Sequence, residues 1–278
     1  MNIVLKMSAA DIARLVKTFQ AWAQPSANPY TQFLAKPQGC VITVYTSGKV
    51  MFQGEQAETY ATKFGYQVTS TTPVQQTNII GTDEVGNGSY FGGLAVVATY
   101  LSEADLPLIK KLGVDDSKKL TDVKIRQIAP ILKEKIQHQA LLLSPSKYNE
   151  VIKSGYNAVS VKVALHNQAI FLLEQALSTV PDHIIIDAFT TEKNYTKYLK
   201  KEKNQTKGQI TLRQKAESQF YAVAVSSVIA REMFLNNLED LSQDVQLTLP
   251  SGAGHKSDVV AAQIIQQYGE ATLSQVAN

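Results

Sequence analysis

The spacing of hydrophobic residues changes near residue 78, and this change divides the chain into two parts. In the first part, short apolar runs surround one amphipathic segment in which Ile12, Leu15 and Phe19 fall on a single helical face. Turn-forming residues at Ser47 and Gly48 separate two of the runs, which predicts a hairpin. The predicted elements are a strand at 2–6, a helix at 8–23, strands at 39–45 and 49–53, and a helix at 55–64.

In the second part, apolar strands alternate with longer helical patterns. The strands are predicted at 78–82, 91–101, 139–144 and 183–187, and the helices at 121–137, 159–178, 217–241 and 257–268. Strands that come first and are then interleaved with helices predict an α/β fold, in which a mixed central sheet is flanked by helices.

The segment between the two parts, QVTSTTPVQQTN at 67–78, is polar and has neither a strand nor a helix period. Such a composition is typical of a linker. We therefore predict an N-terminal domain at 1–66, a linker at 67–78 and a larger C-terminal domain at 79–278.

Composition narrows the function classes. The chain has 278 residues, of which 44% are hydrophobic and 18% charged, as in ordinary globular proteins. It has no apolar run of the roughly 18 residues that span a bilayer and no signal-peptide pattern at its start. The single cysteine, Cys40, excludes an internal disulfide, so we expect a reducing setting, the cytoplasm.

Basic residues are concentrated in two places. Residues 1–78 contain six basic and three acidic residues, although the whole chain has a net charge of only +3. Residues 191–215 contain eight basic and two acidic residues. Both segments are compatible with binding to a polyanion such as nucleic acid, but solvated surface charge explains them equally well.

Four acidic residues stand where an open α/β sheet displays functional groups. Asp83 and Glu84 follow a predicted strand, Asp187 ends another, and Glu217 opens a predicted helix. Each could be an ordinary strand end or helix cap when taken alone. Together they offer the hard oxygen ligands that Mg²⁺ or Mn²⁺ prefers, and two such ions can catalyse hydrolysis of a phosphodiester.

Several motifs around these acids resemble those of the type 2 ribonucleases H, and most closely the ribonuclease HIII group. The matching segments, in order, are GTDEVGNGSYFGGLAV at 81–96, DDSKKL at 115–120, YNAVSVKVALHNQAI at 156–170, IIIDAFT at 184–190, and KAES with AVAVSSVIAR between 215 and 231. Glu217 in a KAE context and TVYTSGKVMFQG at 43–54 favour ribonuclease HIII over ribonuclease HII. The sequence departs from the family pattern at Ser89, where an acid is frequent, and at Gly93, where proline is usual.

The resemblance implies a ribonuclease H-like catalytic domain preceded by a small α+β domain similar to the TATA-binding protein. It implies an endonuclease that cuts the RNA strand of RNA·DNA hybrids with Mg²⁺ or Mn²⁺, leaving 5′-phosphate and 3′-hydroxyl ends. The implied catalytic and metal-binding residues are Asp83, Glu84, Asp187 and Glu217, and the implied substrate-binding residues are Gly86, Asn87, Gly88, Ser117, Lys118 and Lys119.

Two other functions stay open on the sequence alone. One is cleavage beside single ribonucleotides embedded in duplex DNA, which is the activity of ribonuclease HII. The other is nucleic-acid binding without catalysis. We expect the hybrid duplex as the partner, a monomeric chain, and no obligate protein partner or membrane.

Overall fold

The structure is a computed structural model that describes residues 2–66, 75–114 and 120–278. The chain divides into two compact units, Met1–Pro73 and Val74–Asn278. Of the predicted linker, residues 67–74 lie outside the described residues. The rest bonds to the second unit, since the Gln76 side chain donates to the Gln219 carbonyl (2.8 Å) and accepts from the Tyr221 amide (2.9 Å).

The first unit is a four-stranded antiparallel sheet with two helices. Its elements are β1 (Asn2–Lys6), α1 (Ala9–Phe19), β2 (Thr31–Ala35), β3 (Val41–Tyr45), β4 (Lys49–Gln53) and α2 (Ala57–Thr62). The strand order is β1-β4-β3-β2, and β3 and β4 form the predicted hairpin. Leu15 and Phe19 of α1 pack with Ile42 and Phe52 of the sheet, so one face of the sheet is covered by helix.

The second unit is built on a five-stranded mixed sheet. In chain order it contains β5 (Ile79–Val85), β6 (Leu94–Leu101), α3 (Leu106–Leu112), α4 (Asp122–Lys135), β7 (His138–Leu143), α5 (Pro145–Lys153), α6 (Ala158–Ala176), β8 (His183–Asp187), α7 (Glu192–Leu199), β9 (Ile210–Arg213), α8 (Tyr221–Val245), α9 (His255–Tyr268) and α10 (Glu270–Val276). The strand order is β7-β6-β5-β8-β9. β5 pairs antiparallel with β6 and parallel with β8, which places β5 at the centre.

Helices cover both faces of this sheet. Side chains of β5 alternate, so that Ile79 packs in the core shared with α8, whereas Ile80 packs in the core shared with α6. Because of this alternation, the side chains of Asp83 and Glu84 at the end of β5 face different helices.

α8 lies unusually close to β5 because both elements carry small residues at their contact. A Cβ atom added to Gly81 would stand 2.3 Å from the amide nitrogen of Val223, well inside any tolerated contact. Ser226 donates a hydrogen bond to the Gly81 carbonyl (2.8 Å), and Thr99 donates to the Ala222 carbonyl (2.6 Å). The small residues of α8 therefore serve helix–sheet packing.

Candidate active site

Two adjacent acids at the end of β5 point to opposite faces of the sheet. Asp83 is 9% exposed and lies on the α8 side, where the Ser227 side chain is hydrogen-bonded to it. Glu84 lies on the α6 side, where Lys162 Nζ is 3.2 Å from Oε1 and His166 Nε2 is 3.0 Å from Oε2. The two-residue period of a strand gives neighbouring carboxylates these different surroundings.

Asp187 ends β8 beside Asp83. The parallel register pairs Thr82 with Ile186. The next residues of the two strands, Asp83 and Asp187, therefore lie side by side where the pairing of β5 with β8 ends. Asp187 Oδ1 accepts hydrogen bonds from the amides of Ala188 (3.1 Å) and Ala216 (3.0 Å), which fix the carboxylate at the strand end.

Glu217 does not open the long helix, contrary to the sequence prediction. It lies in a separate 3₁₀ turn, Ala216–Ser218, and α8 begins only at Tyr221. The turn follows Lys215, whose φ of 56° is in the left-handed region, so the chain reverses direction before the helix starts. Glu217 is 8% exposed and is hydrogen-bonded to Asp187, which places it in the site by tertiary contact.

The carboxylates impede one another's ionisation. Burial, followed by the negative charge of Glu84, raises the pKa of Asp83 to about 8. Burial and the neighbouring Glu217 also raise the pKa of Asp187. Glu84 is the exception: burial opposes its ionisation, but the hydrogen bond from His166 and the charge of Lys162 outweigh burial and lower its pKa.

This donor set fits a divalent cation. Buried carboxylates with raised pKa values hold their negative charge only when a positive charge is brought among them. Carboxylate oxygens are also the ligands of Mg²⁺ and Mn²⁺. Among the described residues, however, no group of three His, Cys, Asp or Glu side chains is already arranged to hold a metal ion.

The predicted substrate-binding loop directly follows β5. Asn87 and Gly88 are exposed at its tip, and the Ser89 amide donates to the Gly86 carbonyl (3.0 Å) to close a turn. Gly86 has a φ of 115°, and a Cβ atom there would stand 2.3 Å from the Gly93 carbonyl oxygen, so the position requires glycine. The other predicted contacts, Ser117, Lys118 and Lys119, lie outside the described residues.

Two residues near the acids are absent from the sequence prediction: Lys162 and His166, which lie one helical turn apart on α6. The structure buries His166 completely. It is nevertheless in contact with Glu84. The sequence shows that Lys162 and His166 are polar residues at i and i+4 in an otherwise apolar helix, and therefore lie on one face of it. It does not show which residues of the sheet that face contacts.

Sequence comparisons match known families over nearly the whole chain. A model of the family described as Ribonuclease HII matches residues 80–278, and one described as Domain of unknown function (DUF3378) matches residues 2–77. The ribonuclease HIII of Lactococcus lactis subsp. lactis (strain IL1403) is 57% identical over 277 residues, covering 100% of this chain and 94% of that protein. The chain belongs to the ribonuclease HIII family. The ribonuclease HIII of Streptococcus pneumoniae serotype 19F (strain G54) is 58% identical, covering 98% of this chain and 93% of that protein.

Solved structures share the fold. The crystal structure of Bst-RNase HIII in complex with Mn²⁺ is similar with a TM-score of 0.72 and 36% identity, covering 100% of this chain and 94% of that one. Ribonuclease HII from Archaeoglobus fulgidus, solved with PCNA, has a TM-score of 0.59 at 22% identity and covers 72% of this chain, a likeness that concerns the fold alone.

Membership of this family makes the chain a ribonuclease H, a metal-dependent endonuclease that hydrolyses RNA in RNA·DNA hybrids. The fold expected from the sequence is confirmed. Within the described part of the chain, the helices lack the combination of length and apolar character that crossing a membrane requires.

Proposed function

We propose that Asp83, Glu84, Asp187 and Glu217 are the catalytic carboxylates, and that they hold two divalent ions at the end of β5 and β8. Bound there, the metal would supply an activated water and stabilise the leaving 3′-oxygen, which yields 5′-phosphate and 3′-hydroxyl products. The observation that carries this assignment is that Asp83 and Asp187 lie side by side on the paired strands β5 and β8, with Glu217 hydrogen-bonded to Asp187.

The protein's own residues have distinct tasks in this proposal. Asp187 is held by two backbone amides and presents its carboxylate at the sheet edge. Asp83 lies deeper, against Ser227. Glu217, hydrogen-bonded to Asp187, reaches the site from a turn rather than a strand. We assign Glu217 to orienting the attacking water and expect Glu217→Gln to reduce activity less than Asp187→Asn does.

The loop of Gly86, Asn87 and Gly88 would approach the RNA strand. Glycine allows main-chain N–H groups to come close to a phosphate or a 2′-hydroxyl, and the 2′-hydroxyl distinguishes RNA from DNA. The loop begins two residues after Glu84, so a strand bound along it passes the carboxylates. We assign Ser117, Lys118 and Lys119 to phosphate contacts on the basis of the motif alone.

Substrate choice is the direct test. We expect cleavage of duplexes with several consecutive ribonucleotides, little cleavage of double-stranded RNA, and none of double-stranded DNA. Labelled duplexes that differ only in the number of ribonucleotides, incubated with Mg²⁺, Mn²⁺ or EDTA, measure this. Efficient cutting beside a lone ribonucleotide would instead assign the ribonuclease HII activity to this chain. Binding of the hybrid without cleavage in the presence of either metal would contradict the nuclease assignment.

For the first unit we propose a role in substrate affinity. The face of its sheet that is opposite the helical layer carries Val4, which is 55% exposed, and a register row joins Val4, Met51 and Thr43 across three strands. The exposed Lys49 neighbours this row. An open sheet face with basic residues suits the broad surface of a duplex. We also propose a cytoplasmic, monomeric enzyme, in line with the single cysteine.

A further inference from the structure

Glu84 differs from the other carboxylates because both of its oxygens contact protein side chains. Lys162 Nζ donates to Oε1 at 3.2 Å, and His166 Nε2 lies 3.0 Å from Oε2. Both partners are buried: the side chain of Lys162 is 7% exposed and that of His166 is 0% exposed. Buried groups on both oxygens restrict the rotation of a carboxylate far more than solvated partners would.

The orientation of His166 is itself fixed from three sides. An ionised carboxylate only accepts hydrogen bonds, so Nε2 carries a proton toward Glu84. The other ring nitrogen, Nδ1, is hydrogen-bonded to the hydroxyl of Thr82, which is buried one residue before Asp83. The imidazole also stacks on Phe189, with ring centroids 5.0 Å apart and planes inclined by 23°.

Phe189 holds Lys162 as well. The Lys162 ammonium lies 4.4 Å from the centroid of the same ring. Phe189 comes two residues after Asp187, so the ring that aligns both donors of Glu84 is carried by the loop that leaves the catalytic edge of β8. The contacts of Lys162, His166 and Phe189 thus connect the end of β5 to the end of β8 through α6.

We infer that Lys162 and His166 are positioning residues that hold Glu84 in the orientation in which its remaining lone pairs face a divalent cation. The inference rests on the proposed role of Glu84 as a metal ligand. Each oxygen of a carboxylate has two lone pairs, so one protein donor on each leaves capacity for a metal. In proteins, partners that orient a metal ligand typically contribute about 10- to 100-fold in metal affinity or activity.

The first experiment measures Mn²⁺ binding to the full-length chain by isothermal titration calorimetry, without nucleic acid. Glu84→Gln should weaken Mn²⁺ binding, which tests the proposed role of Glu84 separately. His166→Leu should weaken it by about 10-fold or more. His166→Gln, which can still donate to Glu84, should stay within a few-fold of the wild type. Hybrid binding in EDTA should be unchanged in the His166 variants.

A second substitution covers the case in which His166→Leu fails to fold. Thr82→Val removes the hydroxyl that fixes Nδ1 while preserving the shape of the side chain, and it should weaken Mn²⁺ binding in the same direction but less. If Glu84→Gln weakens binding while His166→Leu and Thr82→Val bind Mn²⁺ with wild-type or greater affinity, the inference is wrong. If Glu84→Gln itself has no effect, the metal role of Glu84 fails instead.

Lys162 needs a different readout. Removing a cation beside the site also removes a competitor for the metal, so Mn²⁺ affinity alone would mix two opposing effects. We therefore measure kcat at saturating Mn²⁺ and hybrid. Lys162→Met should lower kcat at least tenfold, and Lys162→Arg, which keeps a charged donor, should recover most of it. A purely structural lysine would lower the melting temperature and leave kcat per folded molecule unchanged, which would overturn this part of the inference.

The chain provides a matched control in Lys133. It pairs with the largely buried Glu232 of α8 at 3.0 Å, an ion pair that involves none of the four proposed carboxylates, although Lys133 itself is 38% exposed. Lys133→Met should lower thermal stability but change neither Mn²⁺ affinity nor kcat. If it reduced both as much as the Lys162 and His166 variants do, loss of any buried ion pair would explain the data, and the inference would be abandoned.

Discussion

The two acids at the end of β5 show how one backbone position changes the ionisation of a side chain. Asp83, turned toward α8, has its pKa raised to about 8 by burial and then by Glu84. Glu84, turned toward α6, has its pKa lowered because the donors His166 and Lys162 outweigh burial. A single peptide unit therefore separates a carboxylate that needs an added cation from one whose charge the protein already stabilises.

We predict that Asp187→Asn abolishes hybrid cleavage without unfolding the chain. The substitution is nearly isosteric, and the amide oxygen can still accept from Ala188 and Ala216. It removes a charge on which metal binding depends, so the rate should fall by roughly a thousandfold or more. Single-turnover cleavage with Mg²⁺, together with hybrid binding in EDTA, measures both parts.

The matched control for this substitution is Asp122→Asn, which removes an equivalent charge from the half-exposed ion pair with Arg231. It should cleave at the wild-type rate. A fully active Asp187→Asn variant would refute the assignment of Asp187 as a metal ligand.

We predict that the metal-free protein becomes less stable as the pH rises from about 4 to about 8. The pKa of Asp83 is higher in the folded chain than in the unfolded chain, so between these pH values the folded state binds more protons than the unfolded state. Raising the pH removes these protons and therefore lowers the free energy of unfolding. Divalent metal should counter the loss, so its stabilising effect should grow with pH. Melting curves at several pH values, with EDTA or Mn²⁺, measure this.

The variant Asp83→Asn is the control for the pH prediction, because it removes the titrating group and keeps its shape. Its melting temperature in EDTA should depend less on pH between about 4 and 8 than that of the wild type. An identical dependence in both proteins would mean that Asp83 is ionised normally, and the pKa assignment would then be wrong.

The sequence is sufficient to propose the four acids as metal ligands and insufficient to predict the side chains that contact them. Asp83 and Asp187 were predictable because apolar runs identify strands, and strand ends are where side chains leave a sheet. Glu217 was found by its motif, but its 3₁₀ turn was not predicted, because the left-handed backbone at Lys215 has no local sequence signature. Lys162 and His166 depend on how α6 is rotated against β5, which only the folded structure determines.

At the scale of elements, the closeness of α8 to β5 is a testable packing feature. Gly81→Ala places a methyl group 2.3 Å from the Val223 amide nitrogen, against backbone that cannot yield as a side chain can. We expect a destabilisation of about 1–3 kcal/mol or more, which is a fall of roughly 2–12 °C in melting temperature. Differential scanning calorimetry in EDTA measures it.

Gly88→Ala provides the comparison for this prediction. An added Cβ atom at Gly88 meets nothing within 4 Å, so its melting temperature should match that of the wild type whatever happens to substrate binding. Equal melting temperatures for Gly81→Ala and the wild type would show that α8 can move away from the sheet at little cost.

The sequence predicts the elements with long apolar runs correctly. It does not predict two short edge strands, one in each sheet, or the polar helix α7. The strand β6 and the helix α6 have long apolar runs. β2 and β9 were missed because edge strands are short and mix polar with apolar residues, and α7 was missed because its sequence is largely basic and polar. Tertiary packing, rather than local preference, holds these elements.

One departure from the family pattern has a structural explanation at this scale. Gly93, where proline is usual, donates its backbone N–H to Asn237 Oδ1 at 2.8 Å. Proline has no N–H and could not make this bond. The glycine is thus matched by a partner on α8 that ties the start of β6 to the helix.

At the scale of the whole molecule, we predict that the first unit contributes affinity rather than catalysis. Because Gln76 bonds to the second unit, the deletion should remove residues 1–73 and retain residues 74–278. The truncated chain should have a strongly raised KM and a kcat that changes less, the pattern of lost uniform binding. Steady-state kinetics of both proteins on one hybrid measures this.

Salt provides a second readout for the same deletion. The full-length chain should make more phosphate contacts, so its affinity should decrease more steeply as salt rises, and the KM values of the two proteins should converge. Equal KM values at low and high salt alike would contradict a substrate-binding role and would favour docking of a protein partner instead.

The parallel pairing of β5 with β8 also determines when the enzyme can first act during its own synthesis. Asp83 and Asp187 are more than a hundred residues apart in the sequence yet lie on neighbouring strands, and Glu217 comes later still. A ribosome releases the β5–β6–β7 part of the sheet long before β8 emerges, so the nascent chain can form an incomplete sheet that carries only Asp83 and Glu84. On the proposed assignment of the acids, cleavage therefore requires that β8 and the turn Ala216–Ser218 have been synthesised and have folded against β5.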